Sequence, residues 1–320
     1  MFEFPKMKRV FADAILQANF EKDGYVVVDF YTEEEIADAT KLYHTLHPQD
    51  KEGFYPGTYS LDKNYRTALD LGVRAICQRA INKYLVDIKV VCGSFIVKTP
   101  GPHSGMSIHQ DMTLVDESQY SGINIWVPLV DLSVKNGAIF ILPGSHRIMP
   151  TYRGSSIPEF FSPVMDNMLD YLHPMELKAG QGVIFDQSII HFSPPNYSDN
   201  IRIVTNTYVT HKDAEFRTYY WDKDSGQNAV EEYAQSDTFM TDYEQFGENI
   251  RDRPKVGKLL GLAPYDFPKI DINFLNNRFA KTNARQLVEA AKPIMPQQET
   301  TLPEKPKSTF LGKLRELVGI

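Results

Sequence analysis

The sequence SIHQDM (107–112) sets His109 and Asp111 two residues apart. On a strand, residues i and i+2 point to the same side, so this spacing brings an imidazole and a carboxylate to one ion. His191, just after the β-type run GVIFDQSII, offers a second imidazole. Two histidines and one carboxylate on one face of an octahedron form the facial triad of non-haem Fe(II) oxygenases. The remaining positions stay open for a bidentate co-substrate and dioxygen. H-x-D with a distant histidine is a weak motif by itself, and zinc or manganese suits the same donors. Arg202 strengthens it. It stands eleven residues after His191, within NIRIVTNTYV (200–209), where a turn and a returning strand bring it back beside the metal. A guanidinium buried in a barrel needs an anion, and a carboxylate gripped at two points is its natural partner. Strand parity extends the set: if Arg202 faces inward, so do Val204, Asn206 and Tyr208, and Asn124 shares a face with Trp126. Asn124 and Asn206 are therefore candidates to line the pocket; the competing expectation is that they satisfy backbone groups.

The elements that must position these residues are legible as a change of period. GYVVVDF (24–30) is β-rich, and Thr32 followed by Glu35 forms a capping box for a helix through about Leu46. ALDLGVRAICQRAINKYL (68–85) carries apolar residues at helical spacing. From about 88 the runs IKVVCGSFIVK, INIWVPLVDL, GAIFILPG, QGVIFDQ and NIRIVTNTYV are short, β-type and punctuated by Gly, Pro, Asn and Asp, the pattern of an all-β barrel or sandwich. Residues 146–176 read as irregular and partly helical. An oxygenase domain is expected over 1–220. An acidic and helical extension follows over 221–292, rich in Asp and Glu between 222 and 252 and with a helix near 278–292. The Pro-rich stretch 293–307 reads as a flexible linker. Residues 308–320 read as an amphipathic helix with Phe310, Leu311, Leu314, Leu317 and Val318 on one face.

Bulk properties narrow the class. The chain has 320 residues, 42% hydrophobic and 23% charged, with a formal net charge of -7, the balance of a globular protein with a sizeable core. Nothing in it suits a polyanion, so a nucleic-acid partner is not expected. Two cysteines, Cys77 and Cys92, are too few for a disulfide scaffold, and reduced buried thiols are expected. The opening residues lack the apolar core of a signal peptide, and no run of 18 apolar residues predicts a membrane span. A cytoplasmic location is the expectation.

The motifs, taken in order, resemble the phytanoyl-CoA dioxygenase family. HQD (109–111), NIWVPLVDLSVKNGAIFILPGSHR (124–147) and IIHFSPPN followed by Arg202 match its pattern, as does the opening GYVVVDFYTEEEI. The resemblance covers roughly residues 20 to 220. It implies a mainly β fold, a double-stranded β-helix or jelly roll of the cupin kind, with helices on one side. It further implies Fe(II) at His109, Asp111 and His191, with 2-oxoglutarate and O2 as co-substrates. Carried over residue by residue, Arg202 would hold the distal carboxylate of 2-oxoglutarate, Ser193 would assist it, and Trp126 would lie at the co-substrate site. Lys98, in IVKTPG, matches a lysine that precedes the family's H-x-D loop. The sequence departs from the common pattern at Val204, where many 2-oxoglutarate enzymes carry a serine two residues after the arginine. Asp111 itself sets the chain apart from related halogenases, which lack this carboxylate.

The activity implied is hydroxylation of an unactivated C–H bond in a small organic or lipid-like substrate, CoA- or carrier-tethered substrates included, with release of succinate and CO2. The alternative is a cupin-like metal-binding or sensor protein without oxidative turnover; an isomerase or hydrolase on the same barrel is a third. Bland readings are expected elsewhere: His44 and His47 at an exposed helix end, His103 in a solvated loop, His146 in a turn, His173 and His211 without partners at ligand spacing. Residues 112–121 are placed to fold over the site as a lid. The acidic stretch 222–252 reads as a solvated face or a receptor for a substrate cation. The terminal helix is expected to dock on the protein's own body, with pairing or membrane contact as alternatives.

Overall fold

The structure, a computed structural model, describes residues 7–47, 52–246 and 248–293. Its strands are β1 (Tyr25–Asp29), β2 (Phe54–Pro56), β3 (Ile88–Lys98), β4 (Met106–His109), β5 (Gly122–Pro128), β6 (Phe140–Ile141), β7 (His173–Pro174), β8 (Gln181–Asp186), β9 (His191–Ser193), β10 (Arg202–His211), β11 (Phe216–Tyr220), β12 (Ala229–Gln235) and β13 (Lys258–Pro264). The helices are α1 (Ala14–Asp23), α2 (Glu33–Leu46), α3 (Lys63–Tyr84), α4 (Met165–Met168), α5 (Phe239–Asp242), α6 (Ile272–Arg278) and α7 (Ala284–Ala291).

Six strands form a large sheet in the order β1-β8-β5-β10-β3-β2, and four form a smaller one in the order β4-β9-β6-β7. The pairs are antiparallel, and the chain passes repeatedly from one sheet to the other. This is the expected jelly roll. Alternation along the strands sorts the large sheet's side chains into two layers. Ile123, Ile125, Val127, Phe95, Val97, Ile203 and Val209 turn outward onto Ala39 and Tyr43 of α2 and Leu69, Val73, Cys77 and Ile81 of α3. The alternate residues Trp126, Val183, Phe185 and Val204 turn inward onto Ile139, Ile141 and Ile189. With both faces covered, β5 is buried along its whole length. Each fully buried large aliphatic of these layers contributes about 1.5–3 kcal/mol.

The helix signals act as read. The Thr32 hydroxyl accepts the Glu35 N–H at 3.2 Å, and the Glu35 carboxylate accepts the Thr32 N–H at 2.8 Å. Glu35 also binds Arg79 of α3 through two nitrogens, which ties the two helices of the outer layer together. The third helix starts earlier than its apolar periodicity predicts, at Lys63, because Asp62 caps it by accepting from the Asn64 and Tyr65 N–H groups. The helix expected near 278–292 forms over the shorter span of α7, and a second short helix, α6, precedes it. Between them Thr282 is held by the carbonyls of Asp170 and Leu172, which breaks the run. Both helices pack Leu275, Ala284 and Val288 onto Phe140, Phe161 and Ile190, outside the small sheet.

Residues 216–264 add a third sheet, β11-β12-β13, which periodicity does not reveal. Its acidic residues meet cations: Glu232 meets Arg217, Asp222 and Glu231 meet Arg253, Asp237 meets Lys89, Asp242 meets Lys63 and Glu248 meets Lys255. Such exposed pairs add little stability each, but they account for much of the acidic run. Cys77 and Cys92 are buried and unbridged, and burial pushes their thiols up to about 11 and about 12. Among the described residues no helix is long and apolar enough to cross a membrane. The expected linker beyond residue 293 and the terminal helix at 308–320 lie outside the described residues.

Candidate active site

Strand pairing, not sequence proximity, assembles the triad. His109 ends β4 and His191 begins β9, and the two are paired in register, with ring centroids 4.2 Å apart. Asp111 follows His109 past the strand end. Its Oδ1 lies 3.5 Å from His109 Nε2 and 3.9 Å from His191 Nε2, and one donor atom from each residue falls within 4.8 Å of the others. Each imidazole donates its Nδ1–H to a backbone carbonyl two residues earlier, His109 to Ser107 at 2.7 Å and His191 to Ile189 at 3.0 Å. That fixes the tautomer and leaves both Nε2 lone pairs free to ligate. Burial, and then the neighbouring His109, push His191 down to about 4, so this ring is neutral and ready to donate electrons. Burial also opposes charge on His109, but Asp111 outweighs it and raises that pKa. The residues present therefore fit a divalent metal in donor type and spacing.

A polar frame orients Asp111. Its Oδ2 accepts the Asn124 Nδ2–H at 2.5 Å, and Asn124 Oδ1 in turn accepts from Asn206 at 3.3 Å. Its N–H donates to the Gln187 carbonyl and its own carbonyl accepts from Arg153 Nε at 2.7 Å. Arg153 then grips Glu117 with both terminal nitrogens. Glu117 favours the charged form of Arg153 and overcomes the burial that opposes it. Removing one member of such a pair typically costs about 3–5 kcal/mol. This clamp bears on the stretch 112–121: Leu114 and Val115 are buried against Tyr208 and Phe216, so the stretch stands as a packed wall with Met112 and Leu114 on the cavity.

Arg202 begins β10 and pairs with Lys98 of β3. It is 1% exposed, and none of its three guanidinium nitrogens has a hydrogen-bond partner. Trp126 lies beside it, with the guanidinium carbon 5.2 Å from the ring centroid. Burial pushes its pKa down to about 9, so the charge persists at neutral pH without the anion that would compensate it. Lys98 is buried too, but its Nζ donates to the carbonyls of Ser193 and Pro194. Its amine braces the turn after β9 with two of its three N–H donors. Ser193 lines the same cavity as Arg202.

That cavity, of about 350 Å³, holds His109, Asp111, His191, Arg202, Ser193, Trp126 and Asn124 together. Sequence reasoning missed part of its wall. Arg153 and Glu159 come from the irregular stretch after β6, and Met240, Ile250 and Tyr265 come from the third sheet and its loops; no local signal marks any of them. The other histidines stay apart from the triad. His47 is not at an exposed helix end: it is buried against Tyr43 and bonds Tyr65 Oη at 2.5 Å. His146 contacts the Glu21 carbonyl.

Residues 20–204 match the model of the family described as phytanoyl-CoA dioxygenase (PhyH). Phytanoyl-CoA dioxygenase domain-containing protein 1 of Danio rerio is 27% identical over 168 residues, 50% of this chain and 55% of that protein. Its homolog in Dictyostelium discoideum is 29% identical over 171 residues, 51% of this chain and 56% of that protein. The match thus spans little more than half the length of these relatives. Among solved structures, EvdO2 from Micromonospora carbonacea var. aurantiaca complexed with 2-oxoglutarate is 17% identical, with a TM-score of 0.44, covering 64% of this chain and 94% of that one. HygX from Streptomyces hygroscopicus with nickel and 2-oxoglutarate bound is 14% identical, with a TM-score of 0.44, covering 63% and 87%.

Proposed function

Because this chain belongs to the phytanoyl-CoA dioxygenase family, we propose that it is an Fe(II)- and 2-oxoglutarate-dependent oxygenase that hydroxylates a C–H bond of a small organic substrate. The observation that carries this reading is Arg202, a buried guanidinium with three unpartnered nitrogens in the cavity that also contains His109, Asp111 and His191. A metal-binding or sensor protein needs the triad but has no use for an uncompensated cation beside it. When bound, iron and 2-oxoglutarate would activate dioxygen for C–H cleavage, with one oxygen atom going to the substrate and the other to the succinate that is released with CO2.

The chain's own residues have separable tasks. His109, Asp111 and His191 hold the metal, with the two Nδ1–H bonds and Asn124 fixing their orientation. Arg202 binds the distal carboxylate at two points, with the Ser193 hydroxyl beside it. Trp126 covers the guanidinium and keeps water from it, while Lys98 fixes the turn that carries Ser193. The packed wall of 112–121 and the third sheet enclose the remaining space for substrate.

The test is direct. Anaerobic protein with Fe(II) and 2-oxoglutarate should develop the charge-transfer absorption of the chelate, and in air it should form succinate. Arg202→Ala should weaken 2-oxoglutarate binding by at least about tenfold, as expected for loss of charge-assisted hydrogen bonds, with metal affinity retained. Normal 2-oxoglutarate affinity in that variant would refute the carboxylate assignment, and absence of both absorption and succinate would refute the activity.

A further inference from the structure

Glu159 lines the cavity within electrostatic reach of His109, Asp111 and Arg153. Its one charged neighbour of fixed positive sign, Arg153, is committed to Glu117, the Asp111 carbonyl and Thr151. Among the described residues no ion pair involving Glu159 forms, although His109, Arg153 and the Gln110 N–H each favour its charged form. A half-buried carboxylate without a cation is disfavoured, and burial accordingly raises its pKa. The rings of Tyr152, Phe160 and Tyr265 line the same cavity, and aromatic faces attract cations.

A second, independent feature points the same way. Gln187 and Tyr208 are 4% and 3% exposed, line the cavity, and leave Gln187 Oε1 and Tyr208 Oη without hydrogen-bond partners. Asn206 Oδ1 is also unpartnered. A Cβ on Gly122 would fall 2.5 Å from Gln187 Oε1 and 2.8 Å from Tyr208 Oη, so the two groups converge over Gly122 in one niche where a side chain would clash. Tyr208 follows Arg202 by six strand positions, roughly 20 Å at about 3.3 Å per residue. The niche is thus remote from the end of the cavity that suits the 2-oxoglutarate carboxylate. Amide oxygens accept and do not donate, whereas the Tyr208 hydroxyl does either, so Gln187 and Asn206 ask for a ligand N–H or O–H group.

We propose that the substrate is a small amine whose ammonium group is held by Glu159 and whose hydrogen-bond donors reach Gln187 and Tyr208. This rests on the oxygenase reading for the fate of the amine, but not for its binding. Once 2-oxoglutarate occupies Arg202, an anionic substrate would meet the Glu159 carboxylate and the unpartnered amide oxygens of Gln187 and Asn206, which disfavours acyl-CoA thioesters.

Calorimetric titration of the full chain with cyclohexylamine, cyclohexanol and cyclohexanecarboxylate separates the charges at constant ring size. Metal-free protein and protein loaded with Fe(II) and 2-oxoglutarate under nitrogen are both measured. The amine should bind at least about tenfold tighter than the alcohol, the gain expected of a charge-assisted hydrogen bond; the carboxylate is compared in the loaded protein, where 2-oxoglutarate occupies Arg202, and should be weakest there. Glu159→Gln should bring amine and alcohol level, and Glu159→Lys should make the carboxylate the best ligand, a gain that misfolding cannot produce. Equal binding of the three ligands, or an order that survives both substitutions, overturns the proposal. Failure to bind 2-oxoglutarate in the loaded samples overturns the oxygenase reading alone, because the amine preference of the metal-free chain stands as a separate result.

Discussion

Asn124 couples two networks through one amide. A carboxylate only accepts hydrogen bonds, so the amide nitrogen faces Asp111 Oδ2 and the amide oxygen turns to Asn206. Asp111 is thereby held with Oδ1 toward the two imidazoles. Ligand-orienting partners of this kind typically contribute 10–100-fold to metal affinity. Asn124→Ala should therefore weaken Fe(II) or Mn(II) binding by about 10–100-fold, read by competition with a chromophoric chelator; unchanged affinity would show that Asp111 needs no such support. Sequence parity already placed Asn124 and Asn206 on the inner face beside Trp126, because alternation is a local property of a strand. It could not supply their partners, which depend on the register of β10 against β5, where Asn206 meets Trp126 and Tyr208 meets Asn124. For the same reason His109, Asp111, His191 and Arg202 were legible by type and spacing, whereas Arg153 and Glu159 were not. Those two lie in a stretch without periodicity, and only tertiary packing brings them to the cavity.

At the scale of elements, the clearest local signal is the capping box at the start of α2, and it carries a pH-dependent contribution to stability. Arg79 and the Thr32 N–H hold the Glu35 carboxyl below the ordinary glutamate range. Its folded pKa is lowered, so its stabilisation is fully present above the unfolded value and is lost as pH falls through the folded one. Glu35→Gln keeps the capping geometry but loses the charge toward Arg79, so it should cost up to about 1 kcal/mol at neutral pH, the upper range for a partly exposed ion pair, and the difference from the native chain should shrink toward zero as pH falls below about 4. Urea unfolding of both proteins at neutral and acid pH measures this; a difference that persists unchanged in acid would mean the charge is not responsible. Elements without such strong local chemistry were harder to read. The run GAIFILPG contributes only Phe140–Ile141 to the small sheet, since its neighbours turn into the loops that carry Ser133 and His146. Strand β12, AVEEYAQ, buries Val230 and Tyr233 at a spacing of three, not two, and a register shift between Glu232 and Tyr233 accounts for it. A bulge of that kind erases the alternation by which a strand is recognised.

For the molecule as a whole, the question is whether residues 221–293 form an attachment or part of the oxygenase body. Met240, Ile250 and Tyr265 stand on the cavity wall. Phe239 and Tyr243 pack with Leu114, Val115 and Tyr208, and Ile270, Leu275 and Val288 pack with Phe140, Phe161 and Ile190. Arg66 of α3 reaches across to the Thr241 carbonyl at 2.8 Å. Stripping a large apolar partner from a core typically costs about 2–5 kcal/mol, and a natural domain is stable by only about 5–15 kcal/mol. Losing these five buried apolar side chains together amounts to roughly 10–25 kcal/mol on that scale, comparable to or above the margin. We therefore expect a chain ending at Tyr220 to lose cooperative thermal unfolding and to expose surface that binds a hydrophobic dye, even though nearly all the family-like sequence and every proposed metal ligand would be retained. A truncated chain that melts cooperatively near the temperature of the full protein would instead make 221–293 a separable extension. Titrating 2-oxoglutarate into that folded truncation would then test the Arg202 end of the cavity without its outer wall.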